Sequence, residues 1–541
     1  MMHPLSAALF ALTLSSALMS AQSAAVGDLH LEPYSFRTYD GNTHPAELGH
    51  LEVLQDRGIP AKGLIQVGFV RLRSTAQKPG SPIVFLPGGP GIPGTVLGAV
   101  PVYYELLEKL QAEADVILFD QRGIGTSLPN TACPDGTVPP VDVFAKEMNF
   151  RRALVNRAVE CGSYWRAKGV SLESFNTAES ADDLDDLRRA LGADKISILA
   201  HSYGTALALE FVRHREEHVD RLVLAGVEGP GESLQMPLVF DLALRRISDF
   251  AASDSQAKGA FPNTYHEFEL VTHELDREPL AVRIRDARTK QDIDIKVGPV
   301  VAQFVVKEML PNGRRVGQLP ALVYSLARRD SSLIKPAVED LYNGLASGFT
   351  AMQFSVACSD GWSLGRRQDA LDQAPHSVFG DIPFVHLDPE LCDRIGVKAR
   401  APASRLPLWS PAHALLINGS LDGNSPPFQA EEVLWGFPNA EYVSVKNGFH
   451  ETLPSQAVQA LVVEFFGGRD VSMTEIQFPP PSFAEPARGG AADPENRKKP
   501  AGSKEAFHQS RTETRGYSLR SLHQGTRRRP GLQAGMPQRE L

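Results

Sequence analysis

Along the middle of the chain, short runs of apolar residues recur, and several are unbroken rather than alternating. LIQVGFVRL (64–72), PIVFLP (82–87), DVILFD (115–120), KISILAHS (195–202), DRLVLAGV (220–227), HALLING (413–419) and EYVSVKN (441–447) read as strands. Continuous apolar runs of this length mark strands covered on both faces. Between most of them the apolar positions follow a helical period, as in SADDLDDLRRALG (180–192) and TALALEFVRHR (205–215). Strand and helix in alternation predict an α/β fold on a doubly wound, mostly parallel sheet.

The alternation breaks once. From about Gly231 to Arg405 the pattern becomes largely helical, and sheet-like character resumes only at HALLING. An insertion over 231–404 is large enough for a small core of its own and has the size and position of a lid. The sheet domain is then expected in two parts, 26–230 and 405–485. No internal repeat points to a solenoid.

The ends have a different character. An apolar run of about 15 residues from Leu5 to Met19, followed by small residues, is too short for a helix that must span a bilayer with about 20. It reads as the core of a signal peptide over 1–25, cleaved after Ser23 or Ala25, although the leading MMHP has no Lys or Arg. A retained anchor or a misplaced start is the alternative. Elsewhere no apolar stretch is long enough to insert stably in a membrane. After about Glu485 the sequence turns to Gly, Pro, Ser, Gln and Arg with no hydrophobic period. Such a segment cannot bury enough apolar surface to offset its ordering entropy, and 486–541 reads as a disordered basic tail.

Charge sharpens that division. The 541 residues carry 55 Lys and Arg against 64 Asp and Glu, a net −9. The tail holds twelve basic and five acidic residues, so an acidic body of about −16 precedes an appendage of +7. An acidic body argues against nucleic acid as the main partner, since phosphate binding needs a concentrated basic face. Four cysteines suit an oxidising compartment, periplasmic or extracellular, and none has metal-ligand spacing. Pairing of Cys133 with Cys161 and of Cys358 with Cys392 closes the shortest loops; buried free thiols are the other possibility.

The strongest chemical signal is KISILAHSYGTALALEF (195–211), where a buried strand passes through Ala200-His201-Ser202-Tyr203-Gly204 straight into a helix. A tight strand-to-helix turn of the G-x-S-x-G type lifts a serine hydroxyl above the sheet, beside the unpaired N–H groups of the helix. Ala200 replaces the first glycine at the cost of a methyl group. A serine hydroxyl needs a base, and the base a carboxylate to orient it. In chain order these should be Ser, Asp, His, each beyond the end of a later strand. Asp422 follows HALLING and His450 follows EYVSVKN, 28 residues apart. His201 reads as a packing neighbour of the serine, because consecutive residues at such a turn project apart. His413 begins its strand and faces the wrong sheet edge. Asp120 opens DQRGIGTS before the nucleophile, where a salt bridge to Arg122 or a turn-shaping role is expected. The oxyanion of acyl transfer needs N–H donors. The amide of Tyr203 and one from Gly88-Gly89-Pro90-Gly91 fit, with Gly89 or Gly88 as donor because Pro90 has no N–H.

Together LPGGPG (86–91), DQRGIGTS (120–127), AHSYGT (200–205), ACSDGW (357–362), NGSLDGNSPP (418–427) and NGFHET (447–452) resemble the α/β-hydrolase serine peptidases of the prolyl aminopeptidase and tripeptidyl aminopeptidase family. The resemblance covers most of 64–468. It implies an α/β-hydrolase fold and removal of one or a few residues from a free peptide N-terminus, with neither metal nor cofactor. Pro87, where prolyl enzymes usually carry His, favours the exported tripeptidyl branch. An aminopeptidase must also meet the substrate's α-ammonium with a carboxylate. Glu228, just past DRLVLAGV, and Asp360 in ACSDGW are the candidates, and either could instead serve as a solvated loop acid or a lid salt bridge.

Overall fold

The computed structural model describes residues 25–231, 235–387, 389–469 and 471–483. All but the last residue of the expected signal peptide, and the whole basic tail, lie outside them. The described strands are β1 (Leu29–Arg37), β2 (Thr43–Leu54), β3 (Leu64–Leu72), β4 (Ile83–Leu86), β5 (Val116–Phe119), β6 (Ile196–His201), β7 (Val219–Ala225), β8 (Leu280–Arg285), β9 (Asp292–Val297), β10 (His413–Gly419), β11 (Ala440–Lys446) and β12 (Glu475–Gln477). Ten form one sheet in the order β1-β2-β3-β5-β4-β6-β7-β10-β11-β12. From β5 to β12 all neighbours are parallel, whereas β1, β2, β3 and β5 pair antiparallel.

The unbroken apolar runs of the central strands are explained by burial on both sides. Val84, Leu86, Ile117, Phe119, Ile198, Leu222 and Leu416 share one core with Leu184 and Leu187 of the helix Thr177–Ala190 and Leu207 and Phe211 of the helix Tyr203–Arg215. The alternate residues Ile83, Phe85, Val116, Leu118, Leu199, Val223 and Leu415 fill a second core with the helices Pro101–Leu110 and Gln456–Phe466. Successive strand side chains point to opposite faces, so each strand must be apolar at every position.

Three strands of this sheet have no counterpart in the runs above. β1 and β2 alternate and stay largely exposed or half-buried on one face, as antiparallel edge strands do, so they lack a continuous apolar run. β12 has only three residues. Between β7 and β10 the chain forms helices from Pro237–Ser253 to Pro389–Ile395 and also the antiparallel hairpin β8–β9, which a purely helical pattern does not include. Phe240, Leu244, Phe268, Val301, Val306, Val338 and Phe379 make a separate core there, joined by Val143, Phe144 and Phe150 from the segment between β5 and β6.

Two disulfides tie the helical parts together, Cys133–Cys161 and Cys358–Cys392, the shortest-loop pairing. No helix of the described residues is long and apolar enough to cross a membrane. Asp120 does not pair with Arg122. Its carboxylate accepts from the backbone N–H and hydroxyl of both Thr95 and Thr126, so it shapes the turn. Arg122 is fully buried and makes a two-pronged contact with Asp183 (2.8 and 2.6 Å) while donating to the carbonyls of Gln55 and Ser174. Arg57 also reaches Asp183, at 2.8 Å.

Removing one partner of a buried pair leaves an uncompensated charge and costs about 3–5 kcal/mol. Asp183→Ala is therefore expected to lower unfolding stability by about that amount, read from the urea midpoint; a change within about 0.5 kcal/mol, typical of surface sites, would contradict the buried-pair account.

Candidate active site

β6 ends at His201, and Ser202 turns the chain directly into the helix Tyr203–Arg215. Ser202 sits at φ 57°, ψ −131°, a left-handed conformation that side-chain-bearing residues seldom adopt. Its neighbours hold it there. Its N–H donates to the Ala225 carbonyl at the end of β7 (3.0 Å), and its carbonyl accepts from Thr205 N–H (2.8 Å). Gly204 lies so close to β4 that a methyl group on it would stand 2.1 Å from the Leu86 carbonyl oxygen. Ala200, in the place of the usual first glycine, is buried between β4 and β7, where its methyl group is accommodated.

Asp422 lies three residues past β10 and His450 four past β11. Asp422 Oδ2 accepts from His450 Nδ1 at 2.8 Å, and its Oδ1 accepts from the backbone N–H groups of Asn424 and Ser425. The loop carrying His450 is pressed onto the end of β10, where a Cβ on Gly419 would meet the Phe449 carbonyl at 2.3 Å. Burial alone would push the His450 imidazolium toward losing its proton. The Asp422 carboxylate, through charge and hydrogen bond, with Glu451 and Glu228, outweighs burial and raises its pKa above the ordinary histidine value.

The glycine loop after β4 approaches from the other side. A Cβ on Gly88 would lie 2.6 Å from Ser202 Cβ and 3.0 Å from its Oγ, and Gly89 takes φ 121° before a cis bond to Pro90. Neither the Gly89 nor the Tyr203 N–H meets an acceptor among the described residues. Both residues line, with Ser202, a cavity of about 360 Å³ walled by Leu154, Phe304, Phe349 and Phe354 and by Lys307 and Gln353.

Both acids from the sequence reach this cavity, in different states. Asp360, at the end of the helix Ala351–Asp360, accepts from the Thr177 hydroxyl (2.6 Å) and pairs with Arg400 (3.2 Å), which also holds Glu210. The Glu228 carboxylate has no hydrogen-bond or ionic partner among the described residues; only its main chain is held, by Thr205. Burial and the nearby Asp360 charge, against a smaller opposite effect of His450, push its pKa up to about 7. His413 begins β10, away from this end. Among the described residues no cluster of His, Cys, Asp or Glu could hold a metal ion. Arg400, Thr177 and the aromatic walls carry no local motif, because separate segments of chain bring them to the cavity.

A serine on a strand-to-helix elbow, a hydrogen-bonded Asp–His pair beyond later parallel strands and a glycine loop against the serine define an α/β-hydrolase. Residues 81–297 match the family described as alpha/beta hydrolase fold, and residues 383–473 match the family of TAP-like proteins. The resemblance carried by LPGGPG, DQRGIGTS and AHSYGT thus holds at the family level. The chain is 27% identical over 316 residues to "Serine protease Hip1" of Mycobacterium tuberculosis, covering 52% of this chain and 59% of that one. It is 27% identical over 368 residues to "Tripeptidyl aminopeptidase" of Streptomyces lividans, covering 63% and 65%. A "Probable proline iminopeptidase" of Streptomyces coelicolor is 25% identical over 265 residues, covering 47% and 66%. The chain spans 59–65% of the length of the first two relatives, less than two thirds.

The approach of Gly88 to Ser202 leaves no room for a methyl group, and displacement of a reacting group by about 1 Å costs about 10²-fold in rate. Gly88→Ala should lose at least that much hydrolytic activity toward any substrate the protein turns over while remaining folded by circular dichroism. Unchanged activity would show that this backbone does not abut the serine.

Proposed function

We propose that the protein is a serine exopeptidase that releases Pro or other N-terminal residues, or tripeptides, from peptides with a free N-terminus. Ser202 attacks the scissile carbonyl while His450 takes its proton, and Asp422 holds the imidazole in the required tautomer. The tetrahedral oxyanion is met by two N–H groups, that of Tyr203 and that of Gly89 or, as the alternative loop donor, Gly88, each worth about 2.7–4 kcal/mol. His450 then gives the proton to the leaving amine, and water activated by His450 releases the acyl group from Ser202. The insertion over 231–404 acts as the lid that limits how much peptide enters. The two disulfides and the exported character expected from the N-terminus support a periplasmic or secreted enzyme.

The observation that carries this reading is the Glu228 carboxylate, without a partner among the described residues and in the same cavity as Ser202. A half-buried carboxylate without a partner is costly, and an α-ammonium group supplies the missing charge and N–H donors. Asp360, already held by Arg400 and Thr177, contributes charge to that end of the cavity while Glu228 makes the contact.

A panel of free and N-acetylated Pro-, Ala- and tripeptidyl-arylamides beside p-nitrophenyl esters separates the possibilities. Turnover of free arylamides at least about tenfold above their acetylated forms, abolished in Ser202→Ala, is expected. Ester turnover without arylamide turnover would assign the protein to esterases or amidases of small molecules. No turnover and no fluorophosphonate labelling would leave a non-catalytic binding protein. Glu228 must be ionised to bind ammonium, so KM for free peptides should rise as pH falls through about 7. Glu228→Gln should raise KM and flatten that limb; an unaltered KM profile in this variant would remove Glu228 from substrate recognition.

A further inference from the structure

Beyond the Asp422 contact, both backbone polar groups of His450 are tied. Its N–H donates to the Pro311 carbonyl of the insertion at 3.0 Å. Its carbonyl accepts from the Thr452 N–H at 3.2 Å, a bond within its own loop, and also lies 3.2 Å from Nε2 of His201, the residue before the nucleophile and the contact that ties it to β6. The two imidazoles lie against each other, with centroids 4.8 Å apart and planes inclined by 49°. Gly226 makes room for them: a Cβ there would lie 3.1 Å from His450 Cε1 and 3.5 Å from His201 Nε2.

His201 is buried, at 3% exposure, and burial keeps its ring neutral, so the ring carries a single N–H. Only the tautomer with that proton on Nε2 can donate to the His450 carbonyl. Glu451 favours it. Its carboxylate stands 3.9 Å from Nε2 and accepts a hydrogen bond from the buried Tyr103 hydroxyl, with Arg314 as the nearby cation. His201 therefore fixes the main chain of the residue whose side chain must face Ser202, and it does so from the strand that ends at Ser202.

We propose that His201 is a positioning residue for the His450 base: its Nε2–H anchors the His450 carbonyl, and Glu451, held by Tyr103, fixes the tautomer that makes this possible. The packing role expected of this histidine becomes a directional one. The proposal rests on the reading of His450 as general base.

Three variants test it. His201→Phe keeps ring and volume without a donor, His201→Gln carries an N–H to about the position of Nε2, and His201→Asn is too short to reach. kcat and KM for a free peptidyl-arylamide, the second-order rate of fluorophosphonate labelling, and urea midpoints are measured for each. His201→Phe and His201→Asn should lower kcat and labelling rate about 10²-fold, as a displaced base would, with KM changed less than about threefold. His201→Gln should recover at least about tenfold over Asn. If Phe does not fold, the Gln–Asn comparison alone decides. Equal kcat in Gln and Asn variants of similar stability would overturn the proposal, as would a fully active His201→Phe. Wild-type protein that neither labels nor turns over substrate would instead contradict the reading of His450 as base, so the two failures are distinguishable.

Discussion

The backbone of Ser202 is the constraint on which the site depends. A side-chain-bearing residue at φ 57°, ψ −131° is strained by about 1–3 kcal/mol and persists only where its surroundings leave no alternative. Here the end of β7 takes its N–H, Gly204 lets the helix stand on the β4 carbonyl, and Gly88 presses on the serine side chain. All three contacts come from parallel strand ends, so a sheet buried on both faces rigidly sets the position of one hydroxyl. The ends of the neighbouring parallel strands β10 and β11 project Asp422 and His450, whose 2.8 Å hydrogen bond spans two loops.

Charge is divided around that hydroxyl. Asp360 is held by an ion pair with Arg400 and a hydrogen bond from Thr177, and through the Thr177 hydroxyl this network touches the Tyr203 hydroxyl at 2.8 Å. Glu228 is left with no partner among the described residues, and its carboxylate is poised near neutrality. One acid of the pair is thereby structural and the other available, a distinction that depends on Arg400, 40 residues after Asp360. His450 draws stabilisation from Asp422 and, at longer range, from Glu451, whose carboxylate also faces His201.

Much of this was legible from the chain alone, for a physical reason. Strands buried on both faces leave unbroken apolar runs, and β3 to β7, β10 and β11 lie within a residue or two of those runs. Residues just past such runs inherit their position, so Ser202, Asp422 and His450 could be placed by counting from strand ends. β1 and β2 leave only a half-exposed alternation, which competes with loop composition. The hairpin strand LAVRIR does show strict alternation, buried and exposed by turns, and its signal was masked by the helical segments around it. What sequence could not show is pairing between distant segments: Arg400 with Asp360, Arg122 with Asp183 rather than the adjacent Asp120, and His201 with the His450 main chain.

The central claim is that this elbow serine is the nucleophile, activated by the Asp422–His450 pair. The most direct measurement is intact-mass and peptide-mapping analysis after reaction with a fluorophosphonate. One adduct per chain, located on Ser202 and lost on replacing either His450 or Asp422, is the predicted result. An adduct on another serine, or modification of Ser202 at an unchanged rate without His450, would contradict it.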